Sequence, residues 1–246
     1  MNIEGAAILI TGASHGIGRA LALHFAGRGA RVLLTGRSEE GLRETAHRIE
    51  VHGRQAWWKT ADLQRPETLE VLVRAIDGAG FKIDILINNA ADVTSKPLLD
   101  TSLEEIEAIV RTNVTGCLQL CRLIAPSMAA RRKGLIVNIS SLAGYKPNPR
   151  QTVYSASKGA VNSISRAILS ELGLYGIHVM NVALSSVATE EEPRPTALHA
   201  DDFAHRLERA IRREQTELFL SPVSQWLMRL YQAFPSLARY GSAHFK

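Results

Sequence analysis

Ala6-Ala7-Ile8-Leu9-Ile10-Thr11-Gly12-Ala13-Ser14-His15-Gly16-Ile17-Gly18 opens the chain with an apolar run that breaks into a glycine-rich turn and then into helical spacing. Residues 6–10 have the length and composition of a buried strand. From Gly16, the positions Ile17, Ala20, Leu21, Leu23 and His24 recur at helical intervals until Gly29 stops them. Glycines let the backbone turn sharply and let an anion approach closely, and the helix start behind them offers free amides and the positive end of a dipole. The spacing differs from the common G-x-G-x-x-G nucleotide fingerprint. Taken alone, the turn serves equally well to pack a helix tightly against a strand.

The same alternation continues outward. Strands are expected at 31–35, 56–60, 83–88, 135–139 and 178–184, and helices at 38–52, 66–78, 102–123 and 153–175. Ser38 is placed to cap the second helix, and Ser102 with Glu105 has the spacing of a capping box. Six short apolar strands separated by helices imply a parallel sheet covered on both faces, a three-layer α/β/α arrangement. Such sheets bind ligands beyond the carboxyl ends of their strands.

Beyond Ser185 the pattern loosens. Residues 189–195, with Glu190-Glu191-Glu192 and two prolines, read as a loop, and Asp201 is placed to cap a helix carrying Phe203, Leu207, Ala210 and Ile211. A last strand is expected at 217–220. Val223, Trp226, Leu227, Leu230, Tyr231 and Phe234 then mark the apolar face of a final helix, which Pro235 ends. We divide the chain into a core at 1–184, a substrate loop and helix at 185–216, and a strand with an amphipathic tail at 217–246, all one domain. The tail has three readings: packing on its own core, covering the substrate cleft or a subunit interface, or lying on a membrane surface with Arg229 and Arg239 at the headgroups.

Composition narrows the function classes. A chain of 246 residues, 46% hydrophobic and 22% charged, buries a sizeable core. A net charge of +5 suits phosphate-bearing small molecules and is too diffuse to argue for nucleic acid. The densest basic cluster, Arg131-Arg132-Lys133, fits a solvated helix end. Two cysteines, Cys117 and Cys121, one helical turn apart, give neither a disulfide framework nor a metal set. No signal peptide is expected from Met1-Asn2-Ile3-Glu4, and no apolar run reaches the roughly 18 residues of a membrane span. A cytoplasmic location is expected.

Tyr154 and Lys158 stand four residues apart, on one face of a helix. A free phenol has a pKa of about 10, and an ammonium beside it favours the phenolate, so the pair offers an acid/base with a built-in activator. The pair alone is also an ordinary surface pattern. Its setting decides. Thr11-Gly12-x-x-x-Gly16-x-Gly18, Asp62-Leu63 after the third strand, Asn88-Asn89-Ala90-Ala91 after the fourth, Asn113, Ser141 thirteen residues before Tyr154, and Tyr154-x-x-x-Lys158 follow one another in order. Over about residues 6–184 the chain thereby resembles the short-chain dehydrogenases/reductases, with Ala91 where the family has glycine.

The resemblance implies a Rossmann-like doubly wound sheet and hydride transfer between a nicotinamide and a carbonyl or alcohol. Tyr154 is then the acid/base and Lys158 its activator and ribose ligand. Ser141 polarises the substrate oxygen, and Asn113 holds a water relay reaching Lys158. It further implies cofactor contacts from Gly12, Ser14, His15, Gly16, Ile17, Gly18, Asp62, Leu63, Asn89 and Ala90, and a homodimer or homotetramer. At the end of the second strand, Gly36 replaces the acid of NAD-preferring relatives and Arg37 follows it. Arginine grips a 2′-phosphate, so NADP(H) is expected, although Arg37 also reads as a plain surface residue. After the sixth strand Ser185-Ser186 replaces the family's Pro-Gly, leaving Val187 and Thr189 for the nicotinamide. The alternative function is a dinucleotide-sensing or scaffolding protein with little turnover.

Overall fold

The computed structural model describes residues 1–193 and 197–234. Its frame is a parallel sheet of β1 (Ala7–Thr11), β2 (Arg31–Gly36), β3 (Ala56–Thr60), β4 (Ile85–Asn88), β5 (Gly134–Ser141) and β6 (Ile177–Leu184). Two further short strands, β7 (Val187–Ala188) and β8 (Leu198–His199), pair only with each other, and β9 (Glu217–Phe219) closes the sheet. The order is β3-β2-β1-β4-β5-β6-β9, every neighbour parallel. The chain reverses direction across the sheet between β1 and β4, so their carboxyl ends form the switch point where a doubly wound sheet binds ligands.

Alternation along β1 sorts the core into two halves. Ile8 and Ile10 join Leu21 and Phe25 of α1 (Gly16–Gly27), Leu42 of α2 (Glu39–Glu50), and Phe203 and Leu207 of α7 (Ala200–Arg212). Ala7 and Leu9 face the other way, with Leu69 and Leu72 of α3 (Pro66–Gly78) and Leu120 and Ile124 of α5 (Cys117–Ala130). Every β1 residue is buried, and a fully buried Leu, Ile or Phe contributes roughly 1.5–3 kcal/mol, which fixes the register.

Three expectations need correction. The helix expected at 102–123 is α4 (Leu103–Val110), a π-helical turn at Arg111–Gly116, and α5. The capping box starts it as expected, but the extra residue of a π turn leaves no mark in apolar spacing. Asp201 does not cap α7. Pairing of β8 with β7 starts the helix earlier, His199 is the cap residue, and Asp201 sits in the first turn, where its charge suits the dipole. In α8 (Pro222–Ala233) the inner face is Leu227, Met228 and Tyr231, packed against Leu142, Tyr145, Ala183 and Phe219. Val223, Trp226 and Phe234, placed on that face by periodicity, are exposed. Lys146 Nζ lies 5.2 Å over the Tyr231 ring and Arg229 pairs with Glu217 at 3.9 Å, so α8 is tied to its own core. Pro195, Pro235 and Arg239 lie outside the described residues. Among the described residues no helix is long and apolar enough to cross a membrane.

Candidate active site

The glycine turn is fastened to the end of β4. Thr11 is buried, and its Oγ1 accepts the N–H groups of Asn89 and Ala90, both at 3.0 Å. Asn89 Nδ2 donates back to the Thr11 carbonyl at 2.9 Å. A Cβ on Gly18 would lie 2.1 Å from the Gly12 carbonyl, so α1 can start this close to the turn only with glycine there. Ala91 keeps a negative φ, and its replacement of glycine therefore carries no backbone strain.

The catalytic candidates meet at the ends of β5 and α6 (Thr152–Gly173). Ser141, the last residue of β5, accepts the Ala143 N–H at 3.1 Å, which orients its hydroxyl toward Tyr154. Ser140 faces inward and donates to the Lys158 carbonyl at 3.1 Å, a packing role. Burial raises the Tyr154 phenol above its ordinary pKa, and the neighbouring Ser141 hydroxyl works against that shift. Lys158, expected to lower the phenol's pKa, makes no hydrogen bond to the Tyr154 hydroxyl among the described residues. Lys158 Nζ lies 5.8 Å over the Tyr154 ring and donates to the Ile139 carbonyl at 2.8 Å. Burial lowers Lys158 to about 8.

Asn113 stands in the π turn, buried, with its side chain turned from the cleft. It accepts from Asp92 N at 2.7 Å and donates to the Asp92 carbonyl and to Ser157 Oγ, at 2.9 and 3.0 Å. Ser157 in turn donates to the Tyr154 carbonyl at 2.7 Å. Asn113 thus braces the turn of α6 that carries Tyr154 and Lys158.

All the other sequence candidates line one cleft of about 1290 Å³, from Gly12, Ser14, His15, Gly16, Ile17 and Gly18 through Arg37, Asp62, Leu63, Asn89 and Ala90 to Ser141, Tyr154, Lys158, Val187 and Thr189. The residues fit a dinucleotide. The start of α1 has no acid in its first turn and no side-chain cap from His15, so α1 supplies no anion of its own to the amides it turns to the cleft. The buried Thr35 Oγ1 at the same cleft wall has no hydrogen-bond partner, and Arg37 is exposed with none among the described residues. Thr35, Thr112, Glu191 and the α8 pair Leu227 and Met228 also border the cleft; sequence reading placed Glu191 in the substrate loop and gave cleft covering as one of three readings of the tail, but named none of the five as a cofactor contact. Apolar spacing in α8 signalled a packed helix but not which cavity it walls. Elsewhere, His24, His205 and Glu208 form the one metal-like cluster among the described residues, with ligand atoms within 4.8 Å. Arg28 and Arg212 already pair with Glu208, at 3.0 and 2.9 Å, and would repel a cation.

A family model described as short chain dehydrogenase matches residues 6–195. The chain belongs to the short-chain dehydrogenase/reductase family. An oxidoreductase of Staphylococcus saprophyticus is 35% identical, covering 77% of this chain and 81% of its own. A 3-oxoacyl-acyl-carrier-protein reductase of Vibrio cholerae is 33% identical over 77% of each. Among solved structures, a metagenomic short-chain oxidoreductase in complex with NADP is 32% identical with a TM-score of 0.80, covering 90% of this chain and 99% of its own. The seven-stranded sheet is the Rossmann-like nucleotide-binding fold of this oxidoreductase family.

Proposed function

We propose that this short-chain dehydrogenase/reductase uses NADP(H) to interconvert a carbonyl and an alcohol, with Tyr154 as acid/base. The carrying observation is that Ser141, Tyr154 and Lys158 border the same cleft as the glycine turn and Arg37. The bound cofactor supplies or accepts the hydride. The chain's own residues handle the oxygen. A phenol raised by burial keeps its proton at neutral pH, the state that donates to the oxygen in reduction. Ser141, held by the Ala143 amide beside Tyr154, donates its hydroxyl proton to the same oxygen. The Lys158 charge behind the ring stabilises the phenolate left when the proton departs. Asn113 keeps the Tyr154–Lys158 turn in place through Ser157.

Arg37 and the missing acid at the end of β2 favour the 2′-phosphorylated cofactor, as does the relative bound to NADP. Leu142, Leu227 and Met228 give the substrate end an apolar wall, which favours a carbonyl compound with an apolar body.

Loss of NADPH absorbance over a panel of ketones and aldehydes tests the reading. Turnover with NADPH should exceed that with NADH, and Tyr154→Phe should lose at least about 100-fold in kcat while its NADPH affinity stays within about twofold. Full activity in Tyr154→Phe removes the acid/base role. Equal use of NADH removes the cofactor preference, and NADPH binding without turnover across the panel favours the sensing alternative.

A further inference from the structure

Glu191 has no part in the chemistry above, yet its carboxylate reaches into the glycine turn from 175 residues away. Oε2 accepts the Gly16 N–H at 3.2 Å, and Oε1 accepts from Arg19 Nη1 at 3.3 Å. It is the anion that α1 does not supply for itself. The backbone around it is held as a turn, with Thr189 N donating to the Glu192 carbonyl at 3.2 Å and Glu192 N to Thr189 Oγ1 at 3.1 Å. Glu190 anchors the other side, pairing with Arg48 of α2 at 2.8 Å. Residues 189–192 therefore form a strap tied at two points across the mouth of the phosphate cradle.

We propose that Glu191 is an internal competitor for the cofactor: its carboxylate holds the Gly16 amide that a dinucleotide's diphosphate would take, and binding exchanges one anion for the other. The inference rests on the dinucleotide reading above. A carboxylate and a diphosphate at one amide repel each other, so Glu191 has to leave. It can leave without stranding a buried charge. Arg19, 9% exposed, keeps Glu44 at 2.9 and 3.2 Å, Thr45 Oγ1 at 3.1 Å and the Ser14 carbonyl at 2.5 Å. Glu191 itself is 39% exposed and is readily taken up by water. Glu190 is the contrasting neighbour, because its ion pair is on the surface and touches no amide of the turn.

Titrations of wild type, Glu191→Gln and Glu190→Gln with NADPH, NADH and adenosine 2′-monophosphate, followed by fluorescence, test this. The first two ligands share the diphosphate; the third has a 2′-phosphate and none. Glu191→Gln should tighten NADPH and NADH by the same factor, roughly tenfold, and leave adenosine 2′-monophosphate within about twofold. Glu191→Ala should behave alike, and Glu190→Gln should change each ligand by less than about twofold. Unchanged or weaker dinucleotide binding in both Glu191 variants overturns the proposal, as does tightening confined to adenosine 2′-monophosphate. If wild type binds NADPH and the variants gain nothing, this inference alone falls. If none of the proteins binds either dinucleotide, the cofactor reading falls with it.

Discussion

Lys158 is a fully buried cation with one carbonyl for company, and that decides how the site responds to pH. Its charge is disfavoured by burial, which brings its pKa down from 10.5 to about 8. Tyr154 moves the other way, since burial penalises the phenolate. The reduction proposed above needs the phenol protonated and the lysine charged. Raising the pH leaves the phenol protonated but discharges the lysine as it passes about 8. The expected outcome is a kcat/KM for reduction that is level near neutrality and falls with unit logarithmic slope above about pH 8. A profile level through pH 9.5, well past the lysine's about 8, would show that the lysine charge is not needed. At this scale the sequence was legible in part. The four-residue spacing put both side chains on one face, and the family resemblance pointed to Ser141, thirteen residues before Tyr154. The acceptor that draws the ammonium away, the Ile139 carbonyl, belongs to a strand 19 residues upstream and leaves no trace in local spacing.

Among the elements, those with chemical punctuation were legible and those shaped by a distant contact were not. Ser38 accepts the Gly41 amide at 3.1 Å, and Ser102 and Glu105 exchange both bonds of a capping box, as their types and spacing implied. The π turn has no such signal. Gly116 sits there against the loop after β3, and a Cβ on it would lie 2.5 Å from the Leu63 carbonyl and 2.7 Å from Leu63 Cβ. Both atoms belong to Leu63, one in its backbone and one at the root of its side chain, so neither can swing aside to make room for the methyl. Gly116→Ala should therefore cost about 1–3 kcal/mol in urea unfolding and, because Leu63 and Asp62 border the cleft, weaken dinucleotide binding as well. Gly78→Ala in α3, with nothing within 4 Å of the added Cβ, supplies the comparison and should be neutral or slightly stabilising. Equal stability of the two variants would remove the claim that the π turn is wedged against Leu63.

The whole sheet has two ends with different duties. The carboxyl ends of β1, β4, β5 and β6 carry the cleft, and the strand–helix alternation in the sequence was enough to place it there. Less legible was what clamps the opposite end, because the partners come from three separate stretches. Asp84, just before β4, accepts the Ala7 N–H at 3.1 Å and the Arg131 guanidinium at 3.0 Å, with Lys133 at 3.6 Å. Its backbone adds bonds to the Ala7 carbonyl at 2.8 Å and from Leu135 N at 2.9 Å, so one residue joins the starts of β1, β4 and β5. Arg131, legible only as part of a basic helix end, is half of this clamp. Burial alone would raise the Asp84 carboxyl, but the Ala7 amide, Arg131 and Lys133 outweigh it and hold the group below its usual range. A depressed folded pKa means the stabilisation is fully present above the unfolded value of about 3.9 and is lost as pH falls through the lower folded value. Asp84→Asn keeps the shape and removes the charge. It should lose about 1–3 kcal/mol of unfolding free energy at pH 7, and the gap to wild type should close as pH drops below about 4. NADPH affinity should not change, because the clamp lies a strand's length from the cleft. A stability gap that does not narrow as pH falls below about 4, or a loss of NADPH affinity at pH 7, would refute this separation of the two ends.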